Sequence, residues 1–399
     1  MSASFAFSPA VLLALALLIW LLSGVIGWLL AGAARLSSLI TGVGGMLAAL
    51  ATICAASPML QSGSALTVNL PFIAFSAEFS ALNALLLLTI AVPALFCSLW
   101  ACAWLRDVNR RQRARTGLLC QLLLAALTAA IVAANAVALI LLMELAALAA
   151  YFLIVQADDA KSRRAALNQF LSGRLGTLCL IVAFALLWQA SGSLSFATLR
   201  HAVLPSGVKS LAFVLALIGF GLYAGIIPLH AWVPQSHSSA PPHAAALFSS
   251  VLMKVGIAGI IKIGLDLVGT PPLWWGIALL LLAMLTAFIG GLYALMEHDM
   301  RRLLAYHTLE NVGIILLGVG GAMVGVALDL PLLAGLALLA ALFHLFNHGL
   351  FNTALFLGAG EIERQTGIRD MEKLGGLARL MPWTAVTMLI ALMSMAALP

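Results

Sequence analysis

The side chains best suited to chemistry in this sequence are a few ionisable residues embedded in long apolar stretches. Glu144 lies in the run Leu142–Leu145, Arg174 lies in the next apolar stretch, and Lys254 lies in the run Val251–Gly256. If these stretches cross a membrane, each charge costs about 2.5–3.5 kcal/mol, so such residues usually line a path or pair with each other. Glu144 and Arg174 could therefore form a proton carrier, or a buried ion pair that only locks two helices together.

Lys254 could carry a proton in the middle of a membrane. It stands at the centre of its apolar stretch, too far from either end for its ammonium group to reach water. A buried lysine can lose its proton and exist as the neutral amine, which suits it to proton transfer. The alternative is a structural pair with a polar side chain of another helix.

Two further groups of polar residues follow helical spacing. His307 and Glu310 are three residues apart, and His344, His348 and Asn352 recur every fourth residue, so each group shares one helix face. Histidine titrates nearest to neutral pH, so the two stripes predict a water-lined proton relay; the alternative is hydrogen bonding between helices. Zinc binding by the two histidines is disfavoured because no third ligand is spaced with them. We predict no metal and no cofactor.

The elements that position these residues follow from the composition. Of 399 residues, 63% are hydrophobic and only 9% are charged, against roughly 25% charged in an ordinary soluble domain. This composition excludes a soluble globule, a disordered chain, a nucleic-acid binder and a disulfide-stapled module. Because the apolar runs are continuous and near 20 residues long, we predict an all-α, multi-spanning bundle of transmembrane helices in the lipid bilayer.

Twelve apolar runs predict about twelve spans, joined by connections too short to hold an extramembrane domain. The predicted spans are 9–30, 38–56, 79–104, 117–134, 136–156, 166–190, 209–228, 243–265, 273–296, 303–322, 332–358 and 380–399.

The distribution of basic residues predicts the orientation of the spans. With the N-terminus outside, the inside loops hold 15 of the 20 Lys and Arg residues, Arg301 and Arg302 among them, and the outside loops hold two. Such an asymmetry is typical of the positive-inside rule, and it accounts for the net charge of +6 without any nucleic acid.

The seventh span is predicted to be a broken helix, because Gly225 and Pro228 interrupt it. Such breaks often mark ion paths in transporters built from inverted repeats. Pro399, five spans later, would be the matching break of a second repeat. We therefore predict a three-helix region at 1–116, a first five-helix repeat at 117–265, and a second, incomplete repeat at 273–399.

Several longer motifs resemble a known family. The runs Ile226–Pro234, Ser238–His243 and Lys254–Gly256 resemble the core signature of the proton-conducting antiporter-like membrane subunits. These subunits occur in respiratory complex I, Mrp-type cation/proton antiporters and group 4 membrane hydrogenases. The runs Glu297–Ile314 and His344–Phe351 look most like the hydrogenase and formate hydrogenlyase branch of the family.

The resemblance implies roles for individual residues. Glu144 resembles the family's fifth-helix glutamate, Lys254 its eighth-helix lysine, and His344 and His348 its eleventh-helix histidine pair. In the family these residues, with water, form a proton path across the membrane.

Two positions depart from the family's pattern. Tyr223 stands where the family has a seventh-helix lysine, and Asn352 stands where it has an eleventh-helix lysine. Both are uncharged at pH 7. Arg174 could partly replace the missing partner of Glu144, although an arginine cannot give up its proton.

The favoured hypothesis is a membrane subunit of a hydrogenase-like or complex I-like oxidoreductase. It would conduct protons along a buried Glu/Lys/His axis while a peripheral redox arm transfers electrons, and it would lie in the inner membrane beside other membrane subunits. The alternatives are a non-pumping structural or assembly subunit, motivated by Tyr223 and Asn352, and a stand-alone cation/proton antiporter. We expect no redox active site in this chain.

Overall fold

The computed structural model describes residues 8–61, 65–71 and 75–398. Within them, eleven helices are long and apolar enough to cross a membrane. They are α1 (Pro9–Leu29), α2 (Ala34–Met59), α3 (Ala81–Asp107), α4 (Arg110–Ile131), α5 (Ala136–Ile154), α6 (Ala160–Ser191), α8 (Ser206–Ala224), the helix Pro242–Leu267, α12 (Leu273–Leu295), α13 (Met300–Ala327) and α14 (Pro331–Thr366). The predicted all-α membrane bundle is confirmed.

The twelfth predicted span is shorter than expected. The helix α16 (Pro382–Met395) has 14 residues, fewer than the roughly 20 that cross a bilayer. Pro399, the expected second break, lies outside the described residues.

Side-chain caps explain several helix beginnings. The Asn109 side chain accepts from the Gln112 backbone N–H at 2.9 Å, so α4 begins seven residues before its apolar run and takes in the arginines of the preceding loop. Asp159 and Ser162 form a capping box at the start of α6. The backbone N–H of Ser162 holds the pKa of the Asp159 carboxyl below its ordinary value.

The chain divides into two compact units, Met1–Ala149 and Ala150–Pro399. The first unit also contains an antiparallel hairpin of β1 (Leu66–Asn69) and β2 (Ser76–Phe79). The backbone N–H of Glu78 joins the hairpin to the end of α4 by donating to the Val132 carbonyl at 2.7 Å. The sequence did not predict this hairpin, because four-residue strands are too short to show an alternating pattern.

The second unit contains the broken helix. α8 ends at Ala224, Gly225 adopts a positive φ of 75°, and the short helix α9 (Val233–Ser239) follows after a non-helical segment. The break frees backbone groups that side chains then satisfy. The Ile227 N–H donates to Thr286 Oγ1 on α12 at 3.1 Å, and the indole of Trp232 donates to the Leu222 carbonyl at 2.8 Å.

The helix Pro242–Leu267, called the lysine helix below, is fully buried over its apolar core. It comprises α10 (Pro242–Leu247) and α11 (Met253–Ile261), with π-helical turns at Phe248–Leu252 and Lys262–Leu267. Turns of this kind are rare and occur often at functional sites.

One order of elements occurs twice in the second unit. The long helix α6 is followed by the four-residue helix α7 (Phe196–Leu199) and then by α8. The long helix α14 is followed, after a 3-10 turn at Met371–Lys373, by the four-residue helix α15 (Leu377–Leu380) and then by α16.

Candidate proton-relay site

Lys254 lies at the middle of the lysine helix and is only 1% exposed. Its Nζ contacts Nδ1 of His348 on α14 and also donates to the Ser249 carbonyl at 3.3 Å. Ser249 belongs to the π-helical turn that precedes Lys254. The turn thus presents a carbonyl oxygen to the amine, and α14 presents an imidazole.

His348 is fully buried and has both ring nitrogens engaged. Nδ1 contacts Lys254, and Nε2 lies 3.2 Å from Nδ2 of Asn352. A neutral imidazole carries one N–H and one lone pair, so a proton gained at one nitrogen allows the release of a proton from the other. This geometry suits His348 to passing a proton from one side of its ring to the other.

His344 extends the polar contacts from α14 to α13. Its ring lies 6.5 Å from that of His348, in stacked orientation. Its Nε2 lies 2.9 Å from Oδ1 of Asn311, and Nδ2 of Asn311 donates to the His307 carbonyl at 2.8 Å. Asn311 is buried, so it holds two helices in register at this level.

His307 and Glu310 end this series of contacts. Nδ1 of His307 lies 2.7 Å from Oε2 of Glu310, and their side chains are 21% and 31% exposed. Glu310 lies ten residues after Met300, about 15 Å along α13. A Cβ at Gly291 on α12 would lie 3.4 Å from the Glu310 carboxyl carbon. The absence of a side chain at this glycine therefore makes room for the Glu310 side chain.

These residues form one series of polar groups from the buried core to the half-exposed side of α13, joined by hydrogen bonds except between His344 and His348, whose rings stack with their centres 6.5 Å apart. We call it the relay line, and its members in order are Lys254, His348, His344, Asn311, His307 and Glu310.

Hydroxyl and amide groups form a branch beside Lys254. Asn352 Nδ2 donates to Ser249 Oγ and, at 2.8 Å, to Oγ1 of Thr308 on α13. Ser250 and Thr353 join the lysine helix to α14 by a hydrogen bond between their hydroxyl groups at 2.7 Å. Sequence analysis missed these hydroxyl residues, although Ser249 and Ser250 lie about one turn before Lys254 and that spacing could have indicated them.

Tyr223 and Arg174 lie apart from the relay line contacts. The Tyr223 hydroxyl is 2.9 Å from Oγ1 of Thr177 on α6, and the Arg174 guanidinium carbon lies 4.7 Å from the centre of the Phe170 ring. Glu144 lies on α5, in the first compact unit, whereas Arg174 lies in the second. Their pairing stays a prediction.

No group of three or more His, Cys, Asp or Glu residues in the described part of the chain could hold a metal ion. The two histidines of α14 are instead engaged with an amine and with asparagine amides, as described above.

The sequence model of a family described as "NADH:quinone oxidoreductase/Mrp antiporter, TM" matches residues 133–399. Formate hydrogenlyase subunit 3 of Escherichia coli (strain K12) is 46% identical over 379 residues, which cover 94% of this chain and 60% of that relative. Hydrogenase-4 component B of the same strain is 39% identical over 394 residues, which cover 97% of this chain and 59% of that relative.

The chain thus spans about three fifths of the length of these two relatives. Among solved structures, a chain of the Mrp complex from Dietzia sp. DQ12-45-1b matches with a TM-score of 0.81 at 24% identity. The match covers 98% of this chain and 71% of that chain, and it shows that the two share a fold.

Proposed function

Because this chain belongs to the transmembrane family of NADH:quinone oxidoreductases and Mrp antiporters, we propose that it conducts protons through the membrane along the relay line. The family resemblance inferred from the motifs is confirmed. The proposal itself is supported by one observation: a buried lysine, two histidines on α14 and a His/Glu pair on α13 follow one another within three helices that are long and apolar enough to cross a membrane.

The members of the relay line would act differently. Lys254 and the histidines have side chains that can gain and lose protons. Asn311 has no proton to give up, so it acts by holding His344 and His307 close to each other. Glu310 would exchange protons at the half-exposed end of the line, where His307 lies beside its carboxyl group.

The setting of this activity belongs to the proposal as well. The chain would be a membrane subunit of a hydrogenase-like or complex I-like assembly, in contact with other membrane subunits and coupled to electron transfer in a peripheral redox arm. Two relatives that carry the names of a hydrogenlyase subunit and a hydrogenase component support this setting. Its membrane would be the inner membrane, with the N-terminus outside, as the basic loops indicate.

A second candidate function is a structural or assembly subunit that conducts no protons. Tyr223 and Asn352 favour it, because both are uncharged and both are hydrogen-bonded to neutral side chains. In this role the relay line would serve only to hold α13, α14 and the lysine helix together.

Replacing Glu310 with glutamine separates the two candidates. The substitution keeps the shape of the side chain and removes its ability to carry a proton, so we expect proton uptake to fall at least about tenfold. Uptake is measured by quenching of a pH-sensitive dye in inverted vesicles that hold the chain with its natural partner subunits and are energised by electron transfer. Glu372→Gln is the matched control, since Glu372 is 72% exposed and lies in the loop after α14. Equal uptake in both variants would favour the assembly role.

A further inference from the structure

A partly buried cluster of two arginines and one glutamate joins three helices of the second unit. Arg301 at the start of α13 is only 1% exposed, and its Nη1 lies 3.3 Å from Oε2 of Glu363 on α14. Arg369, in the loop after α14, contacts the other oxygen of the same carboxylate at 2.6 Å. We call these three residues the arginine clamp.

The arginine clamp holds the end of the broken helix. Nη2 of Arg301 donates to the His237 carbonyl at 3.0 Å and to the Ala240 carbonyl. Nη1 of Arg369 donates to the Ser238 carbonyl at 2.7 Å. The last carbonyls of a helix lack partners within the helix, and cations interact favourably with them. Three acceptors at the end of α9 are therefore satisfied by side chains from outside this helix.

This hold matters because α9 cannot fix its own position. It has seven residues, too few for an isolated helix to be stable in water, and a non-helical segment separates it from α8. The lysine helix begins at Pro242, two residues after the Ala240 carbonyl that Arg301 binds. The arginine clamp therefore fixes the beginning of the helix that carries Lys254.

Glu363 also connects the arginine clamp to the helix of His348, the partner of Lys254. It lies on α14, the helix that carries His348, and it binds both arginines that hold the end of α9. The arginines thus hold the helix that carries Lys254, and Glu363 lies on the same helix as His348. The carboxylate is shared, so a neutral side chain at position 363 would leave two guanidinium groups facing each other across it.

We infer that Glu363 is a positioning residue of the relay line: through Arg301 and Arg369 it fixes the end of α9 and the beginning of the lysine helix, and so keeps Lys254 in contact with His348. The inference rests on the proposed function for its effect on proton transfer. Its effect on the backbone of α9 does not depend on that function.

The test compares Glu363→Gln with Glu361→Gln. Both glutamates lie on α14 with side chains 24% exposed, but Glu361 forms an ion pair with Arg364 and accepts a hydrogen bond from Gln365, both on its own helix. Hydrogen–deuterium exchange is followed in residues 233–247 of the assembled complex, and proton uptake is measured in energised vesicles. In Glu363→Gln we expect exchange at least about tenfold faster in this segment and uptake at least about tenfold lower, because the buried guanidinium of Arg301 would lose its carboxylate partner. Glu361→Gln should match the wild type in both measurements.

The outcomes separate the inference from the proposed function. Unchanged exchange in residues 233–247 of Glu363→Gln would overturn the inference. Faster exchange with normal uptake would also overturn the positioning role, provided that Glu310→Gln lowers uptake in the same vesicles. If exchange rises and neither variant lowers uptake, the proposed function fails while the hold of the arginine clamp on α9 is supported.

A gentler variant covers the case in which Glu363→Gln does not assemble. Arg369→Lys keeps the charge but replaces a planar fork of donors with a single ammonium group, which cannot bind the carboxylate and the Ser238 carbonyl in the same way. It should accelerate exchange in residues 233–247 by a smaller factor than Glu363→Gln. Wild-type exchange in this variant would count against the arginine clamp.

Discussion

Substituting Lys254 with methionine is expected to reduce proton transfer at least about a hundredfold, the scale on which a general acid–base group contributes. Methionine has a similar length and is apolar, so it fits a site that is almost completely buried without leaving a cavity. The substitution removes the ionisable amine that contacts His348 at the buried end of the relay line. Initial rates of proton uptake in energised vesicles measure the effect.

A second substitution separates the proton from the charge at this position. Lys254→Arg keeps a positive charge but cannot release its proton at any physiological pH, so proton transfer should be lost as in the methionine variant. Lys373→Met is the control, since this lysine is 71% exposed in the loop after α14. Normal proton uptake in either Lys254 variant would show that protons do not pass through this amine.

Replacing Gly256 with alanine should cause a large loss of stability. Gly256 lies on the lysine helix two residues after Lys254, and a Cβ there would lie 2.7 Å from the Phe220 carbonyl oxygen and 2.7 Å from the Ala224 backbone nitrogen. Both atoms belong to the backbone of α8 and cannot turn aside as a side chain would. We expect a destabilisation of about 1–3 kcal/mol, which is usual for overpacking of a close contact.

Thermal unfolding of the purified protein measures this effect, and another glycine provides the control. Gly335 on α14 has no atom within 4 Å of the position that a Cβ would take. Gly335→Ala should leave stability unchanged or raise it slightly, because alanine restricts the unfolded chain. Equal melting temperatures for the two variants would contradict the close approach of the lysine helix to α8.

Part of the candidate site could be predicted because membrane-embedded polar residues stand out in an apolar sequence. Lys254 is conspicuous among apolar neighbours, His307 and Glu310 are three residues apart, and the four-residue spacing of His344, His348 and Asn352 determines their common face. The family motif added the order of the helices. The sequence therefore predicts which polar residues of a single helix lie on the same face.

Contacts between helices could not be obtained in this way. Periodicity places Lys254 and His348 on helix faces, but it does not show that the two faces meet. Their contact joins residues 94 positions apart in the sequence, so it depends on how the two helices pack. Asn311 was visible as a polar residue, yet its link to His344 depends on the register of α13 against α14. Hydroxyl residues such as Ser249 and Thr308 were overlooked because they occur commonly in membrane helices and bond to their own backbone.

The count of basic residues in the loops wrongly included one residue of the arginine clamp. Sequence analysis placed Arg301 among the loop residues that orient the chain, whereas it is buried beneath the end of α9. A basic residue at the beginning of a span satisfies the positive-inside pattern whether it faces water or the carbonyls of a broken helix. Only the packing of α9 against α13 distinguishes the two environments.

The central claim, that the relay line is one continuous path, is tested most directly at Asn311. Asn311→Leu keeps the volume of a buried side chain and removes the hydrogen bonds to His344 and His307, while every group that can carry a proton remains in place. Asn347→Leu on α14 is the matched control, because this asparagine lies between the two histidines in sequence but outside the relay line. The account predicts that the initial rate of proton uptake in Asn311→Leu falls to the rate of Glu310→Gln. A rate within about twofold of the wild type, less than 0.5 kcal/mol in the barrier, would contradict the account.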